Sequence, residues 1–123
     1  MILAVVVGLA GSFGAASRYL IDGALQDRTT GSFPFGTLTV NMAGSFILGL
    51  LTGLGLAHGL PAQVRTVAGV GFCGALTTWS TASWETVRLA EEGMGGQALT
   101  NAIGGLLVSA LCAAAGIALG LLR

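Results

Sequence analysis

The sequence predicts an all-α integral membrane protein with four transmembrane helices. Of its 123 residues, 54% are hydrophobic and only 8% are charged, whereas about a quarter of the residues of a soluble domain usually carry charge. Charge this sparse cannot cover a water-facing surface, and four apolar stretches each approach the ~20 residues that cross a bilayer. We expect residues 1–123 to form a single four-helix transmembrane subunit.

The first span, residues 2–20, has no basic residue ahead of its apolar core. A signal peptide usually carries such residues, so we interpret this segment as a retained transmembrane helix. Two roles stay open for Arg18, near the end of the span. It is either an interfacial anchor, paired weakly with Asp22 four residues later, or a positive mouth that concentrates anions.

The second span, residues 35–57, contains one amide side chain, Asn41. An amide in lipid is costly unless it is partnered, and it commonly links helices together. Thr37 lies four residues earlier and therefore on the same helical face. Together they predict a strip of hydrogen-bond donors without net charge, whose default role is structural.

The third span, residues 64–89, is the unusual one. Within it the stretch GFCGALTTWSTASWE, residues 71–85, holds two glycines, three threonines and two serines. This composition favours a local break between Cys73 and Thr78, which lipid tolerates only where protein or water covers the backbone. A break frees carbonyls that coordinate cations and a half-helix N-terminus that favours anions. Alternatively, the hydroxyls bond back to their own helix and assist packing. Glu85, at the end of this stretch, could cap, pair or line an entrance.

The fourth span covers residues 98–122, and it shares with the second a pattern of glycines four residues apart. Three such pairs, which let helices approach closely in lipid, are Gly49–Gly53, Gly55–Gly59 and Gly116–Gly120. A four-helix unit this small has little interior of its own. A pore would form more easily between two copies, so we expect an oligomer.

Composition also argues against several classes of protein. The formal net charge is zero, which leaves no basic face for nucleic acid. Cys73, Cys112 and His58 show no metal-ligand spacing, so the two cysteines are interpreted as small hydrophobes. We find no carboxylate pair, Ser–His arrangement or phosphate loop in the sequence, and we expect no enzyme.

The arginines are almost evenly divided between the two membrane faces. With four spans, Arg65 and Arg123 fall on the side of the termini, whereas Arg18, Arg28 and Arg88 fall on the other. Two against three is almost no positive-inside bias, and a chain without bias can insert both ways up. A count this small is also compatible with chance.

Three blocks together resemble the fluoride channel family Fluc, also called CrcB. They are GSFGAASRY at 11–19, FPFGTLTVNMAGSFILG at 33–49 and GFCGALTTWSTASWE at 71–85, in the family's order and spacing. The resemblance implies a passive channel that exports fluoride across the cytoplasmic membrane. It implies antiparallel dual-topology dimers of a subunit with itself or a homologue, and a structural sodium ion held by the backbone carbonyls of Gly74 and Thr77.

The resemblance also implies a fluoride path along the subunit interfaces, with Arg18 in the vestibule. The residues of this chain that match the path are Asn41, Thr37, Trp79, Ser80, Thr81 and Ser109. Fluoride is small and strongly hydrated, so hydroxyls and an amide in series can replace its water without trapping the ion.

This chain departs from the family pattern at the two phenylalanines that edge the anion. The usual TTFSTF is here TTWSTA, so that Trp79 and Ala82 replace them. In the fourth span the usual tyrosine and serine fall on Asn101 and Gly105. Trp79 still offers an aromatic edge, whereas Ala82 offers no ring.

These departures keep a second hypothesis open. The chain could be a non-conducting or half-functional partner subunit of a heteromeric fluoride channel. A small proton-coupled drug exporter is a third alternative, but such a protein needs a membrane carboxylate, and the first span has none before Asp22.

Overall fold

The computed structural model describes residues 1–122, which are helical apart from short connections, so the all-α class is confirmed. In chain order the helices are α1 (Ile2–Gln26), α2 (Phe35–His58), α3 (residues 62–76), α4 (Ser80–Glu91) and α5 (Gly95–Leu122). Within α3 and α5 lie π-helical segments, Thr66–Cys73 and Thr100–Gly104. Arg123, counted above on the terminal side, lies outside the described residues.

Three of these helices, α1, α2 and α5, are long and apolar enough to cross a membrane, so the chain is a multi-pass membrane protein. α1 continues beyond the predicted end at residue 20 to Gln26. The predicted end came from hydropathy, which indicates where the apolar segment ends. A helix can continue beyond that point into the membrane interface. Many large apolar side chains of these helices are exposed, as Phe13 and Leu111 are, because lipid or another subunit takes the place of a core.

The predicted third span consists of two helices, neither long enough to cross alone. α3 stops at Leu76, Thr77 is extended with φ −81° and ψ 158°, and α4 begins at Ser80. The irregular residues are therefore 77–79, at the C-terminal end of the stretch where the break was predicted. Five residues form the buried apolar core: Val40, Cys73, Leu76, Leu89 and Ala98.

Glycines hold α2 and α5 in backbone contact. A side chain on Gly49 would collide with the carbonyl of Ala113, and one on Gly120 would lie 2.7 Å from the carbonyl of Leu50. Gly53 and Gly116 are equally enclosed by the facing backbone. Two of the three predicted glycine pairs are thus helix contacts.

The third pair, Gly55–Gly59, was wrongly predicted as a helix contact. Gly59 ends α2 in the left-handed conformation, with φ 64° and ψ 33°, and has open space where a side chain would be. Its conformation, which side chains disfavour, explains this glycine. Gly55 leaves room for the side chain of Arg65.

α1 packs against α3 on the other side of the molecule. Gly14 faces the carbonyl of Phe72, and a side chain on Gly71 would lie 2.8 Å from the carbonyl of Val7. With α5 along one side of α2 and α3 along another, a groove remains beside the irregular residues.

Candidate functional site

A groove of about 390 Å³ lies between α2, the irregular residues 77–79 and α5. Eleven residues that the sequence analysis singled out line it: Thr37, Asn41, Cys73, Gly74, Thr77, Thr78, Trp79, Ala82, Asn101, Gly105 and Ser109. The remaining lining is mostly aliphatic, with Leu38, Leu48 and Leu106 among it. Arg18, Ser80 and Thr81 are not among the residues that line the groove.

Asn41 joins α2 to the interruption through both ends of its amide. Its Nδ2 donates to the carbonyl of Thr78 at 2.9 Å, and the Thr78 N–H donates to Asn41 Oδ1 at 2.7 Å. These are the bonds that a neighbouring peptide would offer, and they satisfy backbone groups that the helix no longer pairs. One N–H of the amide takes no part in this pairing and is left for another acceptor.

The hydroxyl of Thr78 organises the start of α4. It accepts a bond from the N–H of Thr81 at 3.2 Å and donates to Thr81 Oγ1 at 3.0 Å. Ser80 Oγ lies 3.4 Å from the same hydroxyl. Ser80 and Thr81 therefore form a hydroxyl cluster with Thr78 at the helix N-terminus.

Other hydroxyls in the stretch bond back to their own helix. Thr77 Oγ1 donates to the carbonyl of Cys73, and Ser83 Oγ donates to the carbonyl of Trp79, each at 2.9 Å. The alternative in which hydroxyls bond back to their own helix therefore holds for Thr77 and Ser83.

The carbonyls of Gly74 and Thr77 are among those at the interruption that lack a helical partner. The Thr78 N–H, which would bond Gly74 O in a continuous helix, is taken by Asn41. Thr77 O receives only the Arg18 guanidinium, from Nη1 at 3.4 Å. Across residues 1–122, no group of three His, Cys, Asp or Glu side chains could hold a metal ion.

Arg18 does not form the predicted pair with Asp22. Among residues 1–122 the ion pair within 4.0 Å is Arg88–Glu92, at 3.7 Å. Arg18 reaches Thr77 instead, because a guanidinium finds an unpaired carbonyl on the neighbouring helix. α1 is thereby connected to the interruption.

The two substituted positions differ in exposure. Trp79 is 73% exposed beside the groove. Ala82 is half-buried, and its carbonyl accepts bonds from Asn101 Nδ2 at 3.1 Å and Thr86 Oγ1 at 2.8 Å. The Asn101 amide also donates to Thr86 Oγ1 at 2.8 Å. Asn101 therefore connects α5 to α4 at Ala82, the position that lacks an aromatic ring.

Sequence reasoning left the role of Glu85 open and did not pair it with Thr37. The Thr37 hydroxyl donates to Glu85 Oε1 at 2.9 Å, and both residues are buried. The sequence did indicate that Glu85 has a partner, because a carboxylate inside an apolar span needs one. Nothing local identified that partner, which lies 48 residues away.

Comparison with known proteins identifies the family. A family model described as "CrcB-like protein, Camphor Resistance (CrcB)" matches residues 5–117. The chain belongs to this family. It is 44% identical over 119 residues to "Fluoride-specific ion channel FluC 1" of Leifsonia xyli subsp. xyli, covering 97% of this chain and 87% of that protein.

Two further relatives carry similar descriptions. "Fluoride-specific ion channel FluC 1" of Frankia casuarinae is 46% identical over 122 residues, or 95% of this chain and 93% of the relative. "Fluoride-specific ion channel FluC" of Methanocaldococcus jannaschii is 47% identical over 96 residues, or 78% and 76% of the two chains. Membership of the fluoride channel family, whose members are transporters and not enzymes, is therefore confirmed.

Proposed function

We propose that this CrcB-family chain is a subunit of a passive fluoride channel that exports fluoride across the cytoplasmic membrane. The observation that carries the proposal is the groove beside the helix interruption. There an amide from α2 and hydroxyls from α2 and α5 meet in a lining without a charged side chain. Such a lining can replace fluoride's water without holding the ion in a deep electrostatic trap.

In the proposed path, donors on different helices act in series. The unused N–H of Asn41 and the hydroxyl of Ser109 face the groove, and the edge of Trp79 supplies partial positive charge. Ser80 and Thr81 provide further hydroxyls beside the N-terminus of α4, whereas the Thr37 hydroxyl would have to release Glu85 Oε1 before it could donate to the ion. Arg18 serves the vestibule, where a positive charge raises the local anion concentration.

We propose that the working unit is a pair of inverted subunits. The groove is open on one side, and Trp79 and Leu106, which line it, are exposed apolar residues that a second copy would cover. In this arrangement α3 and α4 together cross the bilayer as one broken third helix. The nearly balanced arginines support insertion in both directions.

A structural sodium ion at the centre of this pair is part of the proposal. The carbonyls of Gly74 and Thr77 fit the ion because they are uncharged oxygens freed from helix bonding, and two subunits would offer four of them. The sodium would neutralise the converging carbonyl dipoles. Its presence requires the weak Arg18 contact to Thr77 O to leave one lone pair free.

Sodium is tested by thermal unfolding of the purified protein in detergent. We expect the midpoint to rise with sodium concentration, against N-methylglucamine at equal ionic strength, because a ligand of the folded state stabilises it. Identical midpoints would overturn the sodium site and leave the channel proposal standing.

The channel itself is tested by fluoride efflux from liposomes that contain only this protein, followed with a fluoride electrode. We expect rapid efflux down the fluoride gradient, no chloride efflux, and no dependence on an imposed proton gradient. Protein-free liposomes provide the baseline. Efflux at that baseline would overturn the homodimeric channel.

The partner-subunit hypothesis is favoured by one observation, the absence of a ring at Ala82. If the protein alone is silent, it should be reconstituted with a homologue that has both phenylalanines. Efflux greater than that of the homologue alone would support a heteromeric channel. No gain would reject this second candidate.

A further inference from the structure

A second and much smaller cavity lies on the other side of Thr37 from the groove. Its volume is about 10 Å³, close to the space that one water molecule needs. Residues from three helices and the connection between α1 and α2 line it, among them Asp22, Gln26, Thr29, Gly36 and Glu85. Two of these residues carry carboxyl groups, and the proposed fluoride path uses neither.

The carboxyl group of Glu85 is only half satisfied. Glu85 is 9% exposed, and its Oε1 accepts the Thr37 hydroxyl at 2.9 Å. Its Oε2 is buried and has no hydrogen-bond partner anywhere in residues 1–122. A buried carboxylate with an unpartnered oxygen is costly, and such a group tends to lose its charge by binding a proton.

No cation forms an ion pair with Glu85 within 4.0 Å among residues 1–122. From α1, Asp22 lines the same cavity, and its carboxyl fills the space beside Gly36. From α4 itself, Arg88 is the neighbouring cation and offsets part of the charge of Glu85, but it makes no hydrogen bond to Glu85, and its own Nε is buried without a hydrogen-bond partner. Arg88 contacts Glu92 at 3.7 Å, donates to the carbonyl of Ser32 at 3.2 Å and lies 5.3 Å from the centre of the Trp84 ring.

We propose that Glu85 is a proton-binding site, in which its buried carboxyl group holds a proton at neutral pH beside the carboxyl group of Asp22 in the same cavity. Glu85 is the neutral member, because it is the more buried of the two and has the unpartnered oxygen. The proton comes from water and returns to water, and no other bond changes. Like charges in one small cavity favour proton binding.

This site matters to transport because Thr37 connects it to the groove. Thr37 lines the groove and bonds Glu85, so a charge on Glu85 lies one hydrogen bond from the proposed anion path. With the proton bound, that end of the groove is neutral. When the proton leaves at higher pH, the new negative charge repels fluoride and slows its passage.

Proton binding is tested directly by difference infrared spectroscopy of the protein in membranes, without fluoride. We expect the C=O stretch of a protonated carboxylic acid at neutral pH, absent from Glu85→Gln. Asp22→Asn should keep the band but lose it at a lower pH than the unmodified protein, because Glu85 retains its buried, unpartnered oxygen and loses only the neighbouring like charge. Glu91→Gln, a matched change at an exposed residue of the same helix, should keep the band. A band unaffected by Glu85→Gln, or no band in the unmodified protein, would overturn the site.

The consequence for transport, which depends on the proposed function, is tested by liposome efflux from about pH 6 to about pH 9. The unmodified protein should slow by about tenfold as pH rises, whereas Glu85→Gln should conduct independently of pH. Equal pH dependence in both proteins would overturn the coupling. If no efflux occurs at any pH, the channel proposal fails and the infrared result still decides the proton site.

Discussion

Asn41 performs a task that the backbone of the interrupted helix cannot perform for itself. Its amide donates to one backbone group of Thr78 and accepts from another. In lipid no water is available to satisfy those groups, so an embedded amide replaces the missing helical bonds. The same side chain has a further N–H, and in the proposed function this N–H would donate to an anion.

Replacing Asn41 with alanine should therefore remove both functions. We expect Asn41→Ala to lower the free energy of unfolding by about 2–3 kcal/mol, since two hydrogen bonds are lost and two backbone groups are left unpaired. Fluoride efflux should also fall to the baseline. Thermal unfolding in detergent and liposome efflux measure the two effects.

Thr39→Ala is the matched control for this change. Thr39 lies two residues away on the same helix, but its exposed hydroxyl bonds only the carbonyl of Phe35, at 2.8 Å. Its loss should cost less than about 0.5 kcal/mol. If Asn41→Ala were as mild as this control, the bridging role of the amide would be wrong.

At Ala82 we expect a substitution to increase fluoride efflux, whereas Asn41→Ala should decrease it. Ala82 lines the groove without supplying a ring, and the groove has room for one. We expect Ala82→Phe to raise fluoride efflux about two- to tenfold, the equivalent of about 0.5–1.5 kcal/mol from a ring edge that faces the anion. Ala90→Phe, at an exposed position of the same helix outside the groove, should leave efflux unchanged. A decrease in Ala82→Phe would show that the path needs the open space.

Helices in this molecule approach one another through glycine. α2 and α5 meet backbone to backbone at Gly49, Gly53, Gly116 and Gly120, and α1 meets α3 at Gly14 and Gly71. Lipid offers no hydrophobic drive for helix association, so close packing has to supply the attraction. The groove keeps its width because these contacts fix α5 beside α2.

A methyl group at this interface should force the two helices apart. We expect Gly49→Ala to lower the free energy of unfolding by about 1–3 kcal/mol, because the new carbon would collide with the carbonyl of Ala113. Gly8→Ala is the control, since nothing lies within 4 Å of its new methyl group. That control should be neutral or stabilising by up to about 1 kcal/mol, as alanine favours helix. Equal effects of the two changes on thermal unfolding would contradict the packing role.

At the scale of the whole molecule, one copy leaves much apolar surface uncovered. Trp79 and Leu106, which line the groove, are 73% and 53% exposed. Lipid could cover these residues, but it could not satisfy the freed carbonyls of Gly74 and Thr77. In the proposed function an inverted copy would cover the apolar residues, and the proposed sodium ion would bind the carbonyls.

Inverted pairs require that the chain inserts in both orientations, and this can be measured. His58 is exposed at the end of α2 and is suited to a single cysteine label. In cells that produce His58→Cys, a membrane-impermeant maleimide should modify about half of the protein from outside, and all of it after permeabilisation. The unmodified chain controls for reaction at Cys73 and Cys112. Labelling of all or none of the protein in intact cells would contradict dual topology.

Part of the site was accessible from the sequence because it rests on local rules. Asn41 could be predicted because an amide in an apolar span needs a partner. Gly49 and Gly116 could be predicted because each begins a pair of small residues four positions apart. The same rule failed at Gly59, where an identical spacing marks the end of a helix. Spacing alone does not distinguish a glycine that packs from one that turns.

The sequence by itself determined that this chain is a helical membrane protein and that it belongs to the fluoride channel family. Both conclusions follow from composition, span length and ordered motifs, which need no knowledge of how helices sit together. Only the tertiary structure decided that Glu85 pairs with Thr37, that Asn101 ties α5 to Ala82, and that Arg18 reaches Thr77 and not Asp22. Those partners lie between 19 and 59 residues apart, and no local periodicity relates them. They meet because glycine contacts set how closely the helices approach.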